Sequence, residues 1–539
     1  MRNLLLPTLL LLLAPISLPA QLAAPHVRIA QGELSGQVTT LGPDVFRGIP
    51  YAAPPIGPLR WHAPAPPSGW QGIRDAAHFG PACVQRPSRL VPSSAMSEDC
   101  LYLNVWTSSL HPAVPAPVLV YIHGGAFTAG AGSEPFYDGA ALAVRGAVVI
   151  TFNYRLGVFG FFAHPDLTAA SPHHASGNYG LLDQMAALRW VRHNIAAFGG
   201  NPRDVTVFGE SAGATSIGYL MVSPLSAGLF DRAILESPSI LFTAAPELRK
   251  DYDGITSMEA VGLAVAPHIA DLKNLSSAAL MARANEAAEK LLGPGGAGHT
   301  RLRPENTLNY PGAVQLPWAP IVDGYVIPNQ PAKLYAKNRF LHIPTLSGTN
   351  ANEGNVFLMH YHPDSTASFA AWVDQQFAPC GKTVLAEYGP KSPADAHAAA
   401  DRLITDAIFL HSTFLFARDT HGFLYRFTHV SPRGVATGLG AFHSSELPYV
   451  FGHTHTPALN YQPLDHRLSD KMMTMWLHFA RTGDPNLMNS SDWTRIGANG
   501  ETPYMDFGDT LKVKALPDTS FITFADPHVC QSRQFASVR

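Results

Sequence analysis

Six residues, Phe208-Gly209-Glu210-Ser211-Ala212-Gly213, carry the clearest chemical signal in the chain. They contain Gly-x-Ser-x-Gly, preceded by the apolar stretch Val205–Phe208 and followed by the small residues Ala214 and Ser216. This reads as a buried strand, a sharp turn and the start of a helix, a setting that holds a serine hydroxyl proud of a sheet. The glycines leave room for a strained turn. A serine hydroxyl is a poor nucleophile at neutral pH. It needs a base to take its proton, and the base needs an acid to fix its tautomer and stabilise the imidazolium. The chain order expected for this turn is serine, acid, histidine. Glu353 in Gly348-Thr349-Asn350-Ala351-Asn352-Glu353-Gly354 and His443 in Ala441-Phe442-His443-Ser444-Ser445-Glu446-Leu447-Pro448-Tyr449 occur in that order. Glu353 follows a short candidate strand, at the end where active-site residues of open parallel sheets sit. His443 is one of 24 histidines and is singled out only by its place after Glu353.

Acyl transfer also needs donors for a developing oxyanion. His123-Gly124-Gly125-Ala126-Phe127 follows an apolar strand, and its small residues let backbone N–H groups approach a substrate oxygen. Gly125 and Ala126 are assigned as two donors, with the Ala212 N–H as the third. Losing one such donor typically costs about 3 kcal/mol of transition-state stabilisation.

These groups need elements to position them. Val118–Ile122, Ala147–Phe152 and Val205–Phe208 are continuous apolar runs, as expected of strands covered on both faces. Ile343–Leu346 and Leu424–Phe427 are shorter candidates. Leu181, Met185, Leu188, Val191 and Ile195 recur at helical spacing, and Gly199-Gly200 stops that helix. Alternating strands and helices predict an α/β fold with a central, mostly parallel sheet flanked by helices. Pro54, Pro55, Pro58, Pro64, Pro66 and Pro67 stiffen an extended N-terminal segment, and Gly293–Gly298 reads as a surface loop.

The 539 residues are 46% apolar, enough for a large core, with a net charge of −3 that offers no footprint for nucleic acid. Arg2 and the apolar run Leu4–Ile16, followed by Ala20, Ala23 and Ala24, read as a secretory signal peptide over 1–20, cut after Ala20 or Ala24. The run is too short to span a bilayer, and no later segment does so. A secreted or periplasmic location follows. Four cysteines then allow three pairings. Cys83 with Cys100 closes a short loop and is the first choice, which leaves Cys380 with Cys530. No linker divides residues 21–539, which are read as one domain. His360-x-His362 and His453-x-His455 lack acid or cysteine partners nearby and are read as loop residues, so no metal or cofactor is expected. Asn274 and Asn489 begin glycosylation sequons.

The chain resembles the type-B carboxylesterases, the α/β-hydrolase group that includes cholinesterases and bacterial para-nitrobenzyl esterases. The resemblance rests on Phe46-Arg47-Gly48-Ile49-Pro50-Tyr51-Ala52 through Pro58-Leu59-Arg60-Trp61, on Glu98-Asp99-Cys100-Leu101-Tyr102-Leu103-Asn104-Val105, on Phe208–Ala214, and on the acid and histidine segments. It implies an α/β-hydrolase fold with large loop and helical insertions. It also implies a secreted serine carboxylesterase for small to medium esters, with Ser211, Glu353 and His443 as its triad and Cys83–Cys100 as the family's N-terminal disulfide. Ser237 matches a serine that hydrogen-bonds the acid region, and Glu210 is placed to tune the site. Arg47 with Glu98, and Arg155 with Asp183, match the positions of charge pairs. No tryptophan lies between Cys83 and Cys100 where cholinesterases carry a choline-binding one, which argues against choline esters. Ala126 stands where many members have a third glycine, and Pro238 replaces a common glycine. Trp318, Phe357 and Phe409 are candidate pocket liners. A binding member of the fold without catalysis, and a lipase with an apolar lid, are the competing readings.

Overall fold

The computed structural model describes residues 24–516, apart from 242–243, 253–254, 293–317, 361–362, 378–380, 457–459, 488–491 and 498–500. The expected signal peptide, the Gly293–Gly298 loop, His362, Cys380, Asn489 and Cys530 lie outside the described residues.

An 11-stranded sheet organises the molecule. Its strands are β1 (Gln37–Val38), β2 (Asp44–Pro50), β3 (Tyr102–Thr107), β4 (Ala116–Ile122), β5 (Val148–Phe152), β6 (Gly200–Glu210), β7 (Arg232–Glu236), β8 (Thr345–Asn350), β9 (Phe423–Phe427), β10 (Pro503–Phe507) and β11 (Leu511–Ala515). They lie in the order β1-β2-β3-β5-β4-β6-β7-β8-β9-β10-β11. From β5 to β10 every neighbouring pair is parallel. The flanking pairs are antiparallel.

The apolar runs predicted as strands form the centre of this sheet because both faces are covered. Val118, Val120 and Ile122 pack with Leu181, Met185 and Leu188 of α1 (Tyr179–Asn194) and with Ile217 and Leu220 of α2 (Ala212–Val222). Leu119, Tyr121, Phe208 and Ile234 face the other way, onto Met472, Trp476 and Phe479 of α4 (Pro463–Thr482). A further helix, α3 (His411–Thr420), packs beside β8 and β9. Fully burying each such side chain is worth about 1.5–3 kcal/mol. Helix α1 passes into a turn of 3₁₀ helix at Ile195–Phe198 and stops at Gly199, whose φ of 80° suits glycine.

Two expectations change. The strand read at Ile343–Leu346 runs from Thr345 to Asn350. Its polar half, Ser347-Gly348-Thr349-Asn350, is buried between β7 and β9, so ladder pairing outweighs side-chain polarity. Glu98 pairs with Arg60, not with Arg47. Arg60 Nε and Nη2 donate to the two Glu98 oxygens at 2.8 and 2.6 Å. Arg47 leaves β2 toward Gln37 Oε1 at 3.1 Å and lies over the Phe79 ring. The two arginines are close in sequence, and only the path of the chain after β2 decides between them.

Cys83 and Cys100 form a disulfide. Among the described residues, no helix is long and apolar enough to cross a membrane. Arg155, just after β5, forks onto Asp183 of α1, with Nε and Nη2 each 2.7 Å from a carboxylate oxygen, and both residues are buried. Asp183→Asn should therefore destabilise the fold by about 3–5 kcal/mol, because it strands a buried guanidinium. Urea unfolding measures this, and a loss below about 1 kcal/mol would contradict the account.

Candidate active site

Backbone crowding fixes the serine. Ser211 sits between β6 and α2 with φ 56° and ψ −120°. Such a conformation costs roughly 1–3 kcal/mol and persists only where neighbours impose it. A Cβ on Gly213 would come within 1.9 Å of the Ile122 carbonyl oxygen, and one on Gly209 within 2.7 Å of the same atom. Both positions therefore require glycine. The Ser211 N–H donates to the Glu236 carbonyl at 2.9 Å, and the Ser211 carbonyl accepts from Thr215 N–H at 2.9 Å. Ala212 opens α2, so its N–H belongs to the helix's first turn, where donors have no helical partner.

The strand that crowds this turn, β4, continues into His123-Gly124-Gly125-Ala126. His123 Nδ1 lies 2.9 Å from the Gly124 carbonyl. A carbonyl only accepts, so the proton is on Nδ1. Burial holds the ring neutral by pushing its pKa down to about 4, and it stacks on Tyr154 at 4.5 Å. The Gly125 carbonyl accepts from Thr128 and Ala129 N–H groups, each at 3.0 Å. In a trans peptide the N–H points opposite to the carbonyl. Fixing the Gly124 and Gly125 carbonyls therefore turns the N–H groups of Gly125 and Ala126 to the other side. Ala126 has φ 52°, which explains why glycine suits this position.

Glu353 and His443 are brought together. His443 Nδ1 lies 2.6 Å from Glu353 Oε2. The other Glu353 oxygen accepts from Ser237 Oγ at 2.5 Å and from Asn350 N–H at 2.7 Å. Two asparagines stitch the acid segment to the histidine segment. Asn350 Nδ2 donates to the Phe442 carbonyl at 2.9 Å, and Asn352 Oδ1 accepts from Ala441 N–H at 3.1 Å. Sequence reading gave neither asparagine a role. Their only signal was a place in a motif already chosen for Glu353. The His443 ring lies 5.3 Å from that of Phe357 and 4.9 Å from that of Phe409. Trp318 is buried and packs on Phe162 at 5.9 Å.

Glu210 sits on the far side of the imidazole. Its Oε1 is 3.1 Å from His443 Nε2 and accepts from Ser444 Oγ at 2.6 Å. Ser211 Oγ has no hydrogen bond to His443 among the described residues, as is common before substrate binds. Burial alone would lower the His443 pKa, but Glu210 and Glu353 outweigh it and raise it to about 9. Burial also pushes up the Glu210 carboxyl, against the pull of His443 and Ser444. Behind it, burial raises Glu236 to about 8, even though Trp476 Nε1 donates to it at 2.8 Å. Glu446, which accepts from Asn350 Nδ2, is raised well above the carboxylate range by burial and by the neighbouring glutamates. Burial thus favours the protonated forms of Glu236 and Glu446, while Glu353 and Glu210 hold the imidazole between them.

A base must be neutral to accept a proton, and a raised pKa delays that form to higher pH. The acidic limb of kcat/KM should therefore lie above pH 6.5, with activity rising as His443 loses its proton. Glu210→Gln removes one raising charge and should move that limb to lower pH. An unmoved limb, in initial rates taken at constant ionic strength, would contradict the assignment.

The carboxylesterase family model matches residues 23–524. A fumonisin B1 esterase of Sphingopyxis macrogoltabida is 36% identical over 507 residues, covering 91% of this chain and 88% of the relative. A para-nitrobenzyl esterase of Bacillus subtilis (strain 168) is 36% identical over 479 residues, covering 84% of this chain and 89% of the relative. A solved PNB esterase superposes with a TM-score of 0.77 at 30% identity, covering 94% of this chain and 100% of its own. The fold is that of the α/β hydrolases, and the chain belongs to the carboxylesterase family and is a carboxylic ester hydrolase.

Proposed function

We propose that the protein hydrolyses small to medium carboxylic esters through an acyl-enzyme on Ser211, outside the cytoplasm. The observation that carries this reading is the 2.6 Å contact between His443 and Glu353, with the strained Ser211 turn and the oriented Gly125 and Ala126 peptides around it. In the neutral form of His443, Nε2 takes the Ser211 proton as Oγ attacks the ester carbonyl. Glu353 holds Nδ1–H and stabilises the imidazolium that forms. The N–H groups of Gly125, Ala126 and Ala212 receive the oxyanion. The imidazolium then protonates the departing alcohol. A water activated by the same nitrogen attacks the acyl-enzyme and releases the acid and Ser211. The sequence needs no metal or cofactor for any of these steps.

Phe357 and Phe409 against the histidine supply apolar surface next to the reacting bond. An ester of fumonisin B1, named for one relative, and para-nitrobenzyl esters, named for another, are the substrates to screen first. The N-terminal apolar leader and the Cys83–Cys100 disulfide support a secreted or periplasmic location, with residues 21–539 acting as one unit.

Hydrolysis of p-nitrophenyl esters from acetate to palmitate tests the reading. Wild type should act best on the shorter chains. Ser211→Ala should stay folded and lose at least about 10³-fold in kcat. A folded Ser211→Ala variant with most of its activity would overturn the mechanism. A jump in rate above the micelle threshold would favour the lipase reading.

A further inference from the structure

We propose that Gln85 is a positioning residue for the oxyanion turn, tying the disulfide-closed loop to the backbone beneath Gly124 and Gly125. The inference rests on the ester-hydrolysis reading and adds to it a residue outside the motifs that define the site.

Gln85 lies two residues after Cys83 and is buried. A buried primary amide must find partners for its donors and its acceptor. Its Oε1 accepts from Gly130 N–H at 2.8 Å, and its Nε2 donates to the Gly130 carbonyl at 2.8 Å. Nε2 also lies 3.1 Å from the Cys83 carbonyl. One side chain therefore grips both polar groups of Gly130, as a neighbouring strand would, and anchors that grip beside the disulfide.

Gly130 is the base of the oxyanion turn. It has φ +109°, and a Cβ there would come within 2.4 Å of His123 Nδ1 and 2.9 Å of the Gly124 carbonyl oxygen. These are the two atoms whose hydrogen bond fixes the Gly124 carbonyl, and with it the opposed Gly125 N–H. Residue 130 thus packs directly on the device that aims the donor. The far end of the turn is held separately. Asn153 Oδ1 accepts from Gly132 N–H at 2.8 Å, and Asn153 Nδ2 reaches the Cys100 carbonyl at 3.2 Å. Both half-cystines therefore connect through one side-chain amide to the turn, Cys83 through Gln85 and Cys100 through Asn153.

Removing the Gln85 amide leaves both polar groups of Gly130 seeking other partners, and the turn shifts against His123 and Gly124. A misplacement of about 1 Å can cost on the order of 100-fold in rate. The ground-state ester does not depend on the oxyanion donors as its transition state does, so the loss should fall on kcat.

The test compares wild type and Gln85→Ala on p-nitrophenyl butyrate, with active sites counted by phosphonate titration. It also measures inhibition by a trifluoromethyl ketone, whose hemiketal places an oxyanion in the hole. We expect kcat per titrated site to fall roughly 10- to 100-fold, KM to stay within about twofold, and ketone affinity to weaken by the same factor as kcat. An unchanged kcat per site, or a fallen kcat with unchanged ketone affinity, would overturn the proposal. Should Gln85→Ala fail to fold, Gln85→Glu is read by the same criteria, because it keeps the length but cannot donate to the Gly130 carbonyl when ionised. A folded wild type that turns over no ester sinks the underlying reading. An active wild type beside an equally active variant sinks this inference alone.

Discussion

The carbonyl oxygen of Ile122 is the atom on which the site depends. It lies 1.9 Å from where a Cβ of residue 213 would be, and 2.7 Å from where a Cβ of residue 209 would be. That contact presses β4 against both sides of the serine turn. It keeps Ser211 in a backbone conformation that an ordinary residue avoids, and it does so at the last residue of the strand that leads into His123-Gly124-Gly125-Ala126. The proposed nucleophile and oxyanion donors are therefore placed by one backbone approach rather than by two independent loops. Central strands covered on both faces make the approach rigid, because neither β4 nor α2 can move without opening a packed core.

The electrostatics follow from the same burial. Four buried glutamates lie close together, with Glu210, Glu353 and Glu446 acting on one imidazole and Glu236 behind Glu210. A site of that kind cannot hold four negative charges. Burial favours the protonated forms of Glu236 and Glu446, while Glu353 is the carboxylate that accepts from Ser237 and Asn350 and faces His443 Nδ1. In the proposed mechanism Glu353 is the fixed orienting group, while Glu210 beside Nε2 shifts the pH at which the histidine becomes a base. The aromatic rings of Phe357 and Phe409 shield the imidazole and strengthen these interactions.

Much of this was legible in the sequence because burial writes itself in apolar runs and glycines mark close approaches. The central strands, helix α1 and the serine turn follow from those two signals. At strand β8 the apolar pattern covers Ile343–Leu346 and stops where Ser347, Thr349 and Asn350 are polar, because ladder pairing over Thr345–Asn350 leaves no trace in composition. The partner of Glu98 is hidden for a related reason. Arg47 and Arg60 are equally plausible cations on paper, and the bend after β2 delivers Arg60. Asn350, Asn352 and Gln85 act through side-chain amides that hold backbone groups from distant segments. Nothing in their spacing reveals those partners, since such contacts are set by tertiary path alone.

Covalent trapping tests the central claim most directly. The intact protein would be incubated with a p-nitrophenyl phosphonate, and the adduct counted by mass and located by peptide mapping. The account predicts one adduct per chain on Ser211, formed more slowly below the pH at which His443 ionises. No adduct on a folded protein, or an adduct confined to another residue, would contradict it.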